Sequence, residues 1–142
     1  MPVQFFQEDI TFKLKGKRPV KQWVTEAIRA EGFILKEISY IFCSDMYLLQ
    51  VSQQFLDHNY FTDIITFDHS AGDGLIAGDI FISLERVREN AAKYKVSVTN
   101  ELHRVIIHGA LHLVGYNDKT PADKKKMTLK EDFYLTKRSF IG

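Results

Sequence analysis

The spacing of apolar residues divides the chain into short extended runs and longer helical ones. "VQFFQ" and "ITFKL", near the start, are rich in aromatic and β-branched residues and read as extended. "RPVKQWVTEAIRAEG" changes rhythm. Trp23, Ala27 and Ala30 are spaced for one helical face, Pro19 suits a first turn and Gly32 suits a C-terminal stop. "EISYIFCS" alternates and predicts a strand. "SDMYLLQVSQQFL" predicts a helix capped by Ser44 or Asp45. "HNYFTD" reads as a loop, "IITFD" as a short strand, "HSAGDG" as a turn and "GDIFIS" as another strand. Ser83 is placed to cap the helix "LERVRENAAKYK". A long helix is expected from about Val98 to Val114, and Thr120-Pro121 opens a last one. Strands and helices mix without regular alternation. The expected fold is α+β, a small mixed sheet of about four strands packed with about five helices.

Composition narrows the class. The chain has 142 residues, of which 45% are hydrophobic, and its net charge is +1. That fits one globular domain spanning residues 1–142, with a core large enough to hold it. It argues against disorder, and bulk charge does not announce a nucleic-acid binder. Cys43 is the single cysteine, so no disulfide partner is expected within the chain. The first residues, "MPVQFFQEDI", lack the features of a signal peptide, and no apolar run approaches the roughly 20 residues of a membrane span. The expectation is a cytoplasmic protein with no membrane partner.

Candidate chemistry concentrates in "HGALHLVGYND". Residues four apart on a helix differ by about 40° and about 6 Å of rise, so His108 and His112 present imidazoles from one face. Gly115 can leave the helix in a left-handed conformation, and the chain can then return Asp118 beside both histidines. Two histidines and an aspartate leave the fourth position of a tetrahedral ion open, the layout of a catalytic zinc. Ile106, Ile107, Leu111, Leu113 and Val114 make this long central helix apolar almost all round, and burying two imidazoles there without partners would be costly. Gly109 has two readings, close packing of another backbone or room for substrate over a metal. It also occupies the place of the glutamate in H-E-x-x-H peptidases.

"HGALHLVGYND" resembles the H-G-x-L-H-L-x-G-Y-D-H signature of the YbeY family of metal-dependent endoribonucleases. "TDIITF" and "GDIFIS" are similar to that family's T-D-V-L-S-F and G-D-I-x-I-S, in the same order and spacing. The resemblance spans roughly residues 40–135. It implies an α+β fold with zinc held by three side chains. It implies cleavage of single-stranded RNA, in small-subunit rRNA maturation and ribosome quality control. Two positions depart from the pattern. The third ligand, a histidine in the family, is Asp118, whose harder oxygen widens the choice of cofactor from Zn2+ towards Mn2+ or another divalent ion. The arginine usual six residues before the T-D pair is Leu56.

A phosphodiester transition state spreads negative charge over its oxygens and needs a cation. With Leu56 unable to supply it, the candidates are His58 and Arg104, each with a plainer reading: an exposed loop histidine and a salt-bridged helix arginine. Glu101, two turns before His108, is a candidate to orient that ring. Two lysine-rich stretches, "KLKGKRPVK" and "DKTPADKKKMTLK", suit an RNA backbone or simply solvent, and Tyr60, Phe61 and Tyr116 suit stacking on unpaired bases. Two alternatives to the nuclease remain open, a non-catalytic metal-containing ribosome-assembly or RNA-binding protein, and a zinc peptidase.

Overall fold

The computed structural model describes residues 2–57 and 61–141. Four strands form one mixed sheet in the order β1-β2-β4-β3. β1 (Val3–Gln7) and β4 (Leu75–Ser83) both run parallel to β2 (Ile34–Cys43), and β3 (Ile64–Asp68) is antiparallel to β4 at the edge. Five helices complete the α+β fold: α1 (Lys17–Ala30), α2 (Asp45–Leu56), α3 (Leu84–Tyr94), α4 (Val98–Leu113) and α5 (Pro121–Leu135).

The helix starts are chemical. Ser44, Ser83, Ser97 and Thr120 each accept a hydrogen bond from the backbone N–H three residues on, satisfying one of the donors that a first helical turn leaves open. Ser44, not Asp45, caps α2. The buried face of α1 is Val20, Trp23, Val24, Ala27 and Ile28, while Ala30 lies exposed at the helix end.

"ITFKL" is not a strand. Asp9 turns the chain with φ 44°, and its carboxylate accepts from the backbone N–H and hydroxyl of Ser44 at 3.0 and 2.5 Å. The segment leaves the sheet there. Phe12 then packs edge-on against Phe42, and its N–H donates to the Gln7 side chain.

Alternation along the central strands builds two unequal layers. Ile38, Tyr40 and Phe42 of β2 and Ile76, Ile80 and Ile82 of β4 join α1 and α4 in the main core. The Tyr40 hydroxyl donates to the carbonyl of Ile106 at 2.8 Å, tying β2 to the middle of α4. A smaller cluster of Cys43, Leu48, Val51 and Ile65 lies with α2. α4 approaches the sheet closely because it carries Gly109. A Cβ there would lie 2.9 Å from two Ile80 carbons and 3.1 Å from Ile64 Cδ1. The structure shows close packing at Gly109, against the side chains of Ile80 and Ile64 and not against another backbone. No helix among the described residues is long and apolar enough to cross a membrane.

Candidate active site

α4 ends as its sequence suggests. The N–H of Gly115 bonds to His112 O and that of Tyr116 to Leu111 O, while Gly115 takes φ 111°. The chain then doubles back and brings Asp118 Oδ2 to 3.3 Å from His108 Nε2. His108 and His112 stand parallel, with ring centroids 6.4 Å apart. All three residues line one cavity of about 370 Å3, between α4, the β3 edge and the end of α2, with Leu56 and Lys119 also on its wall.

A second hollow, about 270 Å3, lies on the other side of His108 and Asp118. It shares those two residues, Thr62 and Ile64 with the first. Its wall is acidic, with Asp63, Glu101 and Glu131. Asp63 is held by the sheet ladder, since Ser83 N–H donates to its carbonyl at 3.0 Å.

Glu131 is the site residue that reasoning from sequence missed. It comes from α5, and its Oε2 meets His108 Nδ1 at 2.6 Å. Glu131 is buried, and its other oxygen accepts from Arg104 at 2.9 Å. With Nδ1 so engaged, His108 turns Nε2 towards Asp118. Glu101, proposed for this task from helix spacing, is buried in the acidic hollow, and the partner of His108 is Glu131 instead. Burial alone would lower the pKa of His108. The bond to Glu131 and the negative charges of Glu131, Asp118 and Asp63 outweigh it and hold the value above the usual one. Burial raises the carboxyl of Asp63, against the pull of His108, and it raises Glu101, where Asp63 adds to the effect.

Arg104 lies on the acidic hollow but is engaged. Its guanidinium pairs with Glu131 at 2.9 Å and with Asp132 at 2.6 Å. His58 and Tyr60 lie outside the described residues. Phe61 is exposed, with Arg86 stacked over its ring at 5.5 Å. Tyr116 donates to Glu31 at 2.6 Å, a carboxylate that also accepts from Tyr134 and Lys130. That network braces the turn carrying Asp118 against α1 and α5.

The sequence profile described as "Endoribonuclease YbeY" matches residues 3–139. The chain belongs to the YbeY family. A YbeY endoribonuclease of Cytophaga hutchinsonii is 49% identical over 136 residues, covering 96% of this chain and 95% of that one. One of Bacteroides thetaiotaomicron is 45% identical over 138 residues, covering 97% and 100%. The solution structure of a Thermotoga maritima protein matches with a TM-score of 0.64 at 27% identity, over 94% of this chain and 86% of that one. The YbeY resemblance first carried by three short motifs thus extends through nearly the whole chain.

Proposed function

We propose that the chain, as one domain, is a metal-dependent endoribonuclease that cuts single-stranded RNA, with small-subunit rRNA and the ribosome as its setting and the cytoplasm as its location. The supporting observation is the convergence of His108, His112 and Asp118 on one cavity of a YbeY-family chain.

The residues suit a divalent ion. Two donors bonded to a tetrahedral zinc lie about 3.3 Å apart at ordinary bond lengths. His108 Nε2 and Asp118 Oδ2 stand 3.3 Å apart. The buried Nδ1 of His112 has no hydrogen-bond partner among the described residues. Such an orphan costs about 1–3 kcal/mol. As it stands, no group of three or more His, Cys, Asp or Glu among the described residues is assembled to hold an ion, so the His112 ring has to turn in to complete the set. His108, His112 and Asp118 would then hold zinc, with manganese as the competitor that an oxygen ligand favours. When bound, the ion supplies Lewis acidity beside the scissile phosphate.

The chain's own residues do the remaining work. Glu131 fixes the His108 ring and keeps Nδ1 occupied, so that Nε2 is the free donor. The Tyr116–Glu31 bond steadies the turn that carries Asp118. The apolar side chains of Ile64, Ile65 and Leu56 exclude water from one wall of the cavity.

The test is elemental analysis of the purified protein and of the His108→Ala/His112→Ala double variant, with cutting of an unstructured RNA assayed beside cutting of casein. The reading expects one divalent ion per chain, lost in the double variant, and cleavage of RNA alone. Full occupancy in the double variant would overturn the ligand set, and cleavage of casein would favour a peptidase. Leu56 on the cavity wall gives the non-catalytic reading its footing. That reading wins if His112→Ala cuts RNA as fast as wild type, because the cutting would then come from a contaminant.

A further inference from the structure

The two hollows flanking His108 and Asp118 differ sharply in charge. The acidic one carries Asp63, Glu101, Asp118 and Glu131, against a single guanidinium, Arg104, already paired with two carboxylates. A phosphodiester placed there meets net negative charge. The other hollow carries the hydroxyl residues Ser52, Thr62 and Thr66 and, among the described residues, a single lysine, Lys119, and no arginine. Lys119 is exposed and, among the described residues, makes no hydrogen bond or ion pair. Its backbone is nonetheless fixed. Asp118, folded back on His108, precedes it, and Thr120, the cap of α5, follows it.

Resting on the nuclease reading, we propose that Lys119 binds the scissile phosphate, entering from the Ser52–Thr66 side of the site. Three observations meet at this one residue. Leu56, on the same wall, offers no charge. Arg104 faces the wrong hollow and is committed to Glu131 and Asp132. Lys119 is next in sequence to Asp118, so its ammonium is tethered to the reacting centre while its flexible stem can follow a moving phosphate. A phosphate drawn to Lys119 leaves the acidic hollow, with the exposed Tyr94 at its wall, to the uncharged face of an adjoining nucleotide. The strand is thereby oriented across the site by charge alone.

The experiment measures kcat and KM on an unstructured RNA oligonucleotide, across a salt series, for metal-loaded wild type, Lys119→Ala, Lys119→Arg and Lys36→Ala. Lys36 is an exposed lysine of β2 outside both hollows and serves as the charge control. Losing one oriented contact to developing negative charge commonly costs about 10²–10³ in rate. For an exposed, flexible lysine the expected loss in kcat/KM is at the lower end, about a hundredfold, with Lys119→Arg restoring most of it and Lys36→Ala matching wild type. The slope of log kcat/KM against log salt should shrink by about 0.7 in Lys119→Ala, the release of one counterion from a single strand. A merely structural role would leave that slope alone. Circular dichroism on each variant checks that the fold is kept. If wild type and Lys119→Ala cut at equal rates, the assignment falls and the nuclease reading stands. If Lys119→Arg loses as much as Lys119→Ala, the residue acts through shape and the assignment also falls. A wild-type protein that leaves RNA intact overturns the nuclease reading and this inference with it.

Discussion

His103 and His108 are five residues apart on α4, both largely withdrawn from water, and their surroundings treat the proton in opposite ways. His103 lies between Trp23 and Phe140, and its Nδ1 accepts from Arg138 at 2.9 Å. Burial and the Arg138 charge push its pKa down to about 4, so the ring is neutral. His108 faces Glu131, Asp118 and Asp63, and its pKa is held up. Burial disfavours charge on both rings. The sign of the neighbouring charge decides the outcome, and it separates the side of α4 that packs on Trp23 and Phe140 from the side that meets the carboxylates of the site.

The contrast breaks most easily at the ligands. His108→Ala should lose the bound ion and cut RNA at least about a thousandfold more slowly, beyond the 10–100-fold typical of a residue that only supports a ligand. His103→Phe should keep ion and rate and lose only stability, about 1–3 kcal/mol, because Arg138 gives up an acceptor. Elemental analysis and single-turnover rates on both variants check this. Similar losses of ion and rate in the two would erase the distinction.

Acid should destabilise the fold through His103. His103 has a folded pKa of about 4 against an ordinary value of 6.5. Between those values the unfolded chain binds a proton that the folded chain refuses. The stability tied to the neutral ring is therefore complete above pH 6.5 and is lost as pH falls towards 4, by up to about 3 kcal/mol. Other groups titrate in the same range, so the quantity to measure is the difference between metal-free wild type and His103→Phe in urea melts at pH 7 and pH 4.5. The wild type should lose more. Parallel losses would show that His103 takes up its proton freely in the fold.

Around His108, Glu131 sharpens the comparison. Removing a partner that orients a metal-bound histidine usually costs 10–100-fold in affinity. Glu131→Ala should weaken metal binding by that range, about 1–3 kcal/mol, and Glu131→Gln by less, since an amide oxygen still accepts from Nδ1. Competition against a coloured chelator reads this without any RNA. An unchanged affinity in Glu131→Ala would mean that the bond to His108 is incidental.

Glu131 also marks how far the sequence could be read. The two histidines and the glycine-terminated return of Asp118 follow from local geometry, and so do the serine and threonine caps, because each depends on residues within a turn or two. Glu131 is 23 residues beyond His108, on a helix whose register against α4 no spacing rule supplies. Helix projection points to Glu101 because it compares residues only along their own helix. "ITFKL" misleads for a related reason. Its composition reports β propensity, but a strand needs a neighbour, and the turn at Asp9, anchored on Ser44, takes the segment away from one. Lys119 belongs to the lysine-rich stretch "DKTPADKKKMTLK", and what sets it apart from the other lysines there is its place on the cavity wall, which no spacing rule supplies.

The smallest effect sits where α4 presses on the sheet beside His108. Gly109 lies between His108 and Ala110, where α4 presses on Ile80 and Ile64. Alanine there gains about 1 kcal/mol of helix propensity. It also forces a methyl to within 2.9 Å of Ile80, and overpacking of this kind costs about 1–3 kcal/mol. The expected net loss for Gly109→Ala is about 1 kcal/mol. Ile80→Val removes the Cδ1 that the methyl would meet. The two changes should therefore be non-additive, with Ile80→Val costing less in the Gly109→Ala background than alone. The strain should also be lopsided. α4 is tied to β2 at Ile106 by Tyr40, so a push at Gly109 moves the histidines beyond it more than His103 before it. Metal affinity should fall in Gly109→Ala, while the pH dependence contributed by His103 should stay as in wild type. If the pH dependence changed and the affinity did not, α4 would be transmitting the push towards its N-terminal half, and the division drawn between core and site would be in the wrong place.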